Sequence, residues 1–207
     1  MEKSNYQKQA EAAGTLFLTY DQEKIIRKFG LCADDDVIFL QYLHTDYRIV
    51  RKSGQVLKMD EEGTWQICCD YETVMTIYDL LCHHQGEAAP VMCGRRKPIA
   101  GFTVSGGPDT GRFTNAYAAA FQRAPARLKA ACAALGGVMQ QPMAGAEVTC
   151  LFPVTSFFSV LLQFWAGDEE FPPKITLLWD ENTLEFMHFE TTYFLQGDLL
   201  RRLKELL

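Results

Sequence analysis

The ten residues Phe164-Trp165-Ala166-Gly167-Asp168-Glu169-Glu170-Phe171-Pro172-Pro173 constrain this chain more than any other stretch. Three consecutive carboxylates and two consecutive prolines lie between the apolar runs 156–165 and 175–179. Unpaired carboxylates stay in water, and Gly-Asp with Pro-Pro is turn chemistry, so the chain has to leave a buried strand, turn in solvent and re-enter the core. Residues 156–179 are therefore expected to form two adjacent antiparallel strands joined by a turn over 168–173. Leu161, Leu178 and at least one of Trp165 and Trp179 should be buried.

The rest of the chain supplies elements to pack against that hairpin. Residues 6–18 and 21–29 carry helical patterning, the second segment stopping at Gly30. The β-branched and aromatic run 37–43 reads as a strand, 47–50 and 55–59 alternate around Ser53-Gly54 as a hairpin, and 65–68 adds a short strand. Asp70 is an N-cap for a helix to Cys82 or His84, because Val74, Ile77, Tyr78 and Leu81 fall on one face. Loop chemistry dominates 85–110, with a short strand at 102–104, and two helices follow at 112–122 and 126–135, separated at Pro125. Strands are expected at 147–152 and 185–188, and a closing helix at 191–207, in which Gly197 costs about 1 kcal/mol relative to alanine and permits a break. Helices grouped around antiparallel strands make an α+β fold, an antiparallel sheet or meander with several helices around it. No linker divides residues 1–207, so one domain is expected, with 48% apolar residues to build its core.

Charge narrows the function classes. The net charge is −6, and the 20 Lys and Arg are scattered apart from Arg95-Arg96-Lys97 and the C-terminal Arg201-Arg202-x-Lys204. A nucleic-acid partner needs a clustered basic face, so none is expected. Residues 1–5 meet no apolar segment of the secretory kind. The longest apolar stretch, 151–166, is interrupted by polar residues and falls short of the roughly 20 residues a membrane-spanning helix needs, so no membrane association is expected either. A cytoplasmic location follows as the expectation. The seven cysteines (Cys32, Cys68, Cys69, Cys82, Cys93, Cys132, Cys150) have no repeated short spacing, which points to reduced thiols and to no cysteine-held zinc, iron–sulfur cluster or other cofactor.

Four groupings carry chemistry-bearing residues. Asp168 and Glu170, if extended, share a face at about 7 Å, a spacing suited to a water-activating carboxylate pair, although the same residues suit a solvated turn. His188 and Glu190 share one face if their segment is a strand, a placement that lets the carboxylate raise the histidine pKa or lets the two help bind a divalent ion, for which only Asp180, Glu181 or Glu185 are local supplements. The competing reading is a hydrogen-bonded histidine at a sheet margin and a glutamate near the start of the last helix. Cys82-His83-His84 with Cys93 brings soft ligand types together, but without the pair spacing of a tetrahedral site, so no metal ligands are assigned. The loop 101–112, with Gly106, Gly107, Gly111 and Arg112, ends at a helix N-terminus whose free N–H groups can hold an anion. It matches neither glycine-rich nucleotide motif, and no nucleophile elbow or H-E-x-x-H segment occurs.

The corner 164–173 and the later His188-Phe189-Glu190-Thr191-Thr192 resemble the bacterial family called domain of unknown function 3786. The similarity runs from about Trp65 to the C-terminus through Gly101-Phe102-Thr103-Val104, 107–121 and Leu135-Gly136-Gly137, with the 164–180 block the most specific part. The resemblance implies a soluble protein of mostly anaerobic bacteria. Some relatives carry an added cysteine-rich iron–sulfur segment, whose closely spaced cysteines this chain lacks. It implies no catalytic residue. The expected function is a binding or accessory module for a small anionic ligand or a protein partner. The alternatives are a metal- or carboxylate-assisted hydrolase using Asp168, Glu170, His188 and Glu190, and an assembly protein pairing through aromatic surface.

Overall fold

Local signals account for the first elements of the chain. In the computed structural model, which describes residues 5–102 and 111–207, α1 spans Asn5–Phe17 and α2 spans Gln22–Phe29. The Asp21 carboxylate accepts from the Lys24 N–H at the start of α2, and Gly30 ends it in the left-handed conformation. Strands β1 (Cys32–Ala33), β2 (Val37–Tyr42), β3 (Thr45–Val50), β4 (Val56–Met59) and β5 (Trp65–Ile67) form an antiparallel meander in chain order. Ile38, Leu40 and Tyr42 alternate into the core from β2, as do Tyr47 and Ile49 from β3. Asp70 caps α3 (Tyr71–Cys82) by accepting from the Thr73 N–H. Between α1 and α3, the Phe17 and Tyr78 rings lie 5.5 Å apart.

A second antiparallel sheet has the order β6 (Arg96–Pro98), β10 (Lys174–Asp180), β9 (Ser159–Trp165), β8 (Val148–Pro153), β7 (Val138–Met139). Helices α4 (Gly111–Gln122) and α5 (Pro125–Ala134) precede β7 in the chain, and α4 packs on β10. The corner behaves as its chemistry dictates: β9 and β10 pair from Lys174 opposite Trp165 to Leu178 opposite Leu161. Leu161 and Trp179 are buried, but Leu178 is only half-buried. Period-two alternation sends Leu177 and Trp179 to one face and Leu178 to the other. Residues 156–158 are not strand. A tight turn in which Val154 and Thr155 both donate to the Phe158 carbonyl makes β8 and β9 a hairpin.

Asp168 organises the corner. Its Oδ1 accepts from the backbone N–H groups of Glu170 (2.8 Å) and Phe171 (2.7 Å), and these bonds hold its pKa below the usual carboxylate value. A depressed folded-state pKa contributes stability that is present above the unfolded value and is lost as pH falls through the folded one. Asp168→Ala should therefore weaken the protein near neutrality and flatten its acid-denaturation profile below the ordinary carboxylate pKa. A variant that unfolds on the same acid profile as the parent would remove this role.

Two further helices, α6 (Thr183–Phe186) and α7 (Phe189–Glu205), close the chain. The strand expected at 185–188 is thus replaced by a helical turn and an extended Met187 that leads into α7. Gly197 does not break α7. A Cβ there would lie 2.8 Å from Glu72 Oε1, so the glycine leaves room for the carboxylate of the Glu72 side chain. The strand expected at 102–104 falls largely outside the described residues, and Phe102 itself ends a short 3₁₀ turn. The described residues thus hold seven α-helices and two five-stranded antiparallel sheets, an α+β fold. They form two compact units, Met1–Val91 with Asn182–Asp198 and Met92–Glu181 with Leu199–Leu207.

Candidate functional site

The first unit contains a cleft of about 600 Å³ walled by α1, α3 and the start of α7. Leu16, Phe17, Tyr20, Met75 and Phe194 supply its apolar and aromatic surface. Its polar groups include Asp79, His83, Gln85, His188, Glu190 and Thr191, with Cys82 beside them, and no Lys or Arg is among the lining residues.

The polar wall begins with helical spacing. Asp79 and His83 are four residues apart at the C-terminal end of α3, so they project on one side, while Ile77, Leu80 and Leu81 are buried. The Asp79 carboxylate then receives the first turn of α7. Its Oδ2 accepts from the His188 N–H at 2.7 Å and the Thr191 hydroxyl at 2.5 Å, and its Oδ1 lies 2.6 Å from His188 Nδ1. A carboxylate on one helix thereby satisfies N–H and O–H groups where another begins, a cap supplied from 109 residues away.

His83 completes the cluster. Its Nε2 is 2.9 Å from the Leu184 carbonyl oxygen, which can only accept, so Nε2 carries the hydrogen and Nδ1 of the neutral ring presents a lone pair. That lone pair lies 3.2 Å from His188 Nδ1, with the two rings edge-to-face at a centroid distance of 4.2 Å. Asp79 is mostly covered, with 14% of its side chain exposed, whereas 64% of the His188 side chain is open to solvent. Burial, reinforced by the Asp79 charge, pushes the Cys82 thiol up to about 12, so it is protonated at neutral pH. Burial, then Cys82 and Asp79, also raise the Tyr20 phenol.

Of the residues singled out by sequence, His188 and Glu190 both line this cleft. They do so from the entry and first turn of α7, not from one face of a strand, because 183–186 is helical and α7 starts at Phe189. Glu190 sits where a helix dipole favours a carboxylate. Asp168 and Glu170 belong to the second unit, and Asp168 spends one carboxylate oxygen on its own turn. Cys93 also belongs to the second unit, where its thiol donates to Asp180 Oδ1 at 3.0 Å while the Gly94 N–H donates to Oδ2 at 2.7 Å. Gly106 and Gly107 lie outside the described residues. Gly111 and Arg112 open α4, and the Arg112 side chain lies outside the description too. Asp79 was not among the sequence candidates, and its only signal was an acidic residue four positions before His83 on a helix whose other late positions are apolar.

No helix among the described residues is long and apolar enough to cross a membrane. A family model described as Domain of unknown function (DUF3786) matches residues 21–202. No curated protein and no solved structure matches. The family match covers nearly all of the chain, and the chain belongs to that family.

Proposed function

We propose that this member of the DUF3786 family is a small-molecule-binding module whose ligand occupies the cleft of the first unit, with Asp79, His83 and His188 as its polar recognition groups. The observation that carries the reading is the convergence of these three side chains, from segments more than 100 residues apart, on the wall of a largely apolar cleft. Concave apolar surface with a few convergent polar groups is the usual form of a ligand site. The chemistry of the wall favours a neutral or cationic ligand over an anionic one, since Asp79 and Glu190 line it without a lysine or arginine. The proposed setting is the cytoplasm, supported by seven cysteines that all remain thiols. The hydrolase alternative has less support, because the carboxylate pair it draws on, Asp168 and Glu170, is built into a turn of the second unit.

Nuclear magnetic resonance with a library of neutral and cationic fragments tests the proposal. Hits should shift the Met75 methyl and the Tyr20 and Phe194 ring resonances, and Met75→Trp, which fills the cleft, should weaken them at least about tenfold. Hits that map to other surfaces, or that ignore Met75→Trp, would refute the cleft as the ligand site.

A further inference from the structure

We infer that Asp79, His83 and His188 form a site for a divalent first-row transition-metal ion, bound through the two Nδ1 nitrogens and a carboxylate oxygen. One donor atom from each residue lies within 4.8 Å of the other two. The orientation of His83 is the second observation. Its Nε2–H is committed to the Leu184 carbonyl, which aims an unprotonated Nδ1 at the cluster, the outer hydrogen bond that metal-bound histidines commonly make. The third is spacing: two nitrogens about 2.0–2.1 Å from one ion at a tetrahedral angle stand about 3.3 Å apart. The His83 and His188 Nδ1 atoms are 3.2 Å apart.

Asp79 is oriented in the same way. The Thr191 hydroxyl and the His188 N–H hold Oδ2, which turns Oδ1 toward the two rings. Oδ1 and His188 Nδ1, now at hydrogen-bond distance, need to part by about 0.7 Å as the ion replaces the proton between them. Two imidazoles and one carboxylate form a donor set for zinc, cobalt, nickel, copper or ferrous ions, whereas magnesium and calcium prefer oxygen alone. Three protein ligands leave at least one coordination position for water or a bound molecule. Resting on the cleft reading, we place that position on the cleft side, so the cleft ligand would be one that offers the ion a lone pair. Metal binding itself does not depend on that reading. The cysteine-spacing argument against a metal does not reach this site, because its ligands include no cysteine and come from two distant segments.

The test is titration of tag-free, chelator-stripped protein with cobalt(II) and zinc(II), followed by visible absorption and calorimetry. One ion per chain, a cobalt ligand-field band displaced by zinc, and shifted His83 and His188 ring resonances are expected. His83→Ala and His188→Ala should each weaken binding at least about 30-fold, and Cys82→Ser and Cys93→Ser should leave it within about twofold. His83→Gln serves if the alanine variant does not keep the parent circular dichroism. No cobalt band, or affinity that survives both histidine substitutions, would overturn the site. Met75→Trp separates the two proposals: it should weaken fragment binding at least about tenfold and spare the metal.

Discussion

Gly54→Ala should destabilise the first unit by about 2–5 kcal/mol, while Gly30→Ala costs only about 1 kcal/mol. Both glycines have positive φ, +70° and +61°, so an alanine at either carries the left-handed backbone penalty. They differ in what surrounds them. A Cβ on Gly30 meets nothing within 4 Å, whereas one on Gly54 would lie 2.2 Å from the Gly14 carbonyl oxygen and 2.8 Å from its carbon. Those are backbone atoms of α1, so relief requires the helix to move away from the β3–β4 turn. The Tyr78 hydroxyl also donates to the Gly54 carbonyl, tying the same turn to α3. Urea unfolding of the two variants measures the difference, which is large against a typical total stability of about 5–15 kcal/mol. Equal costs for the two would mean that the close approach carries no weight.

Asp79→Ala is expected to cost about 3 kcal/mol, with Asp79→Asn intermediate, when both are measured with a chelator present. The carboxylate is mostly covered and accepts from the His188 N–H, the His188 ring and the Thr191 hydroxyl, and hydrogen bonds to charged groups contribute about 1.5–3 kcal/mol each before relaxation. The loss should be local as well as global: amide exchange at the first turn of α7 should accelerate more than exchange within β2 and β3. A cost below about 1 kcal/mol would show that α7 does not need this cap.

Much of the architecture follows from interactions that span a few residues. Asp21 and Asp70 cap their helices through the N–H three positions ahead, and Gly30 ends α2 through its own φ. The acidic corner turns because a carboxylate, a glycine and two prolines favour solvent and tight backbone there. These effects are written in adjacent letters, and period-two alternation extends them along β2, β3 and β10, while β9 is buried continuously from Val160 to Phe164. The strand expected at 185–188 did not form. A helical turn over 183–186 and an extended Met187 take its place, and that form delivers the Leu184 carbonyl to His83 and the His188 N–H to Asp79.

The candidate site belongs to the other category. His83 and His188 are separated by 105 positions, and Asp79 and His188 by 109. No periodicity or spacing rule reaches that far. Within the sequence, His83 stood beside His84 and a distant Cys93, and His188 beside Glu190, so each was grouped with its neighbours in the chain. Folding regrouped them because α3 buries its apolar face and receives the start of α7 at its C-terminal end, which leaves Asp79 and His83 facing that entry. Gly197 tells the same story, since its reason is the Glu72 side chain 125 positions earlier and not the propensity of the helix that contains it. Local hydrogen bonding and hydrophobic period decided where the elements lie. The packing of those elements against each other decided which polar side chains meet.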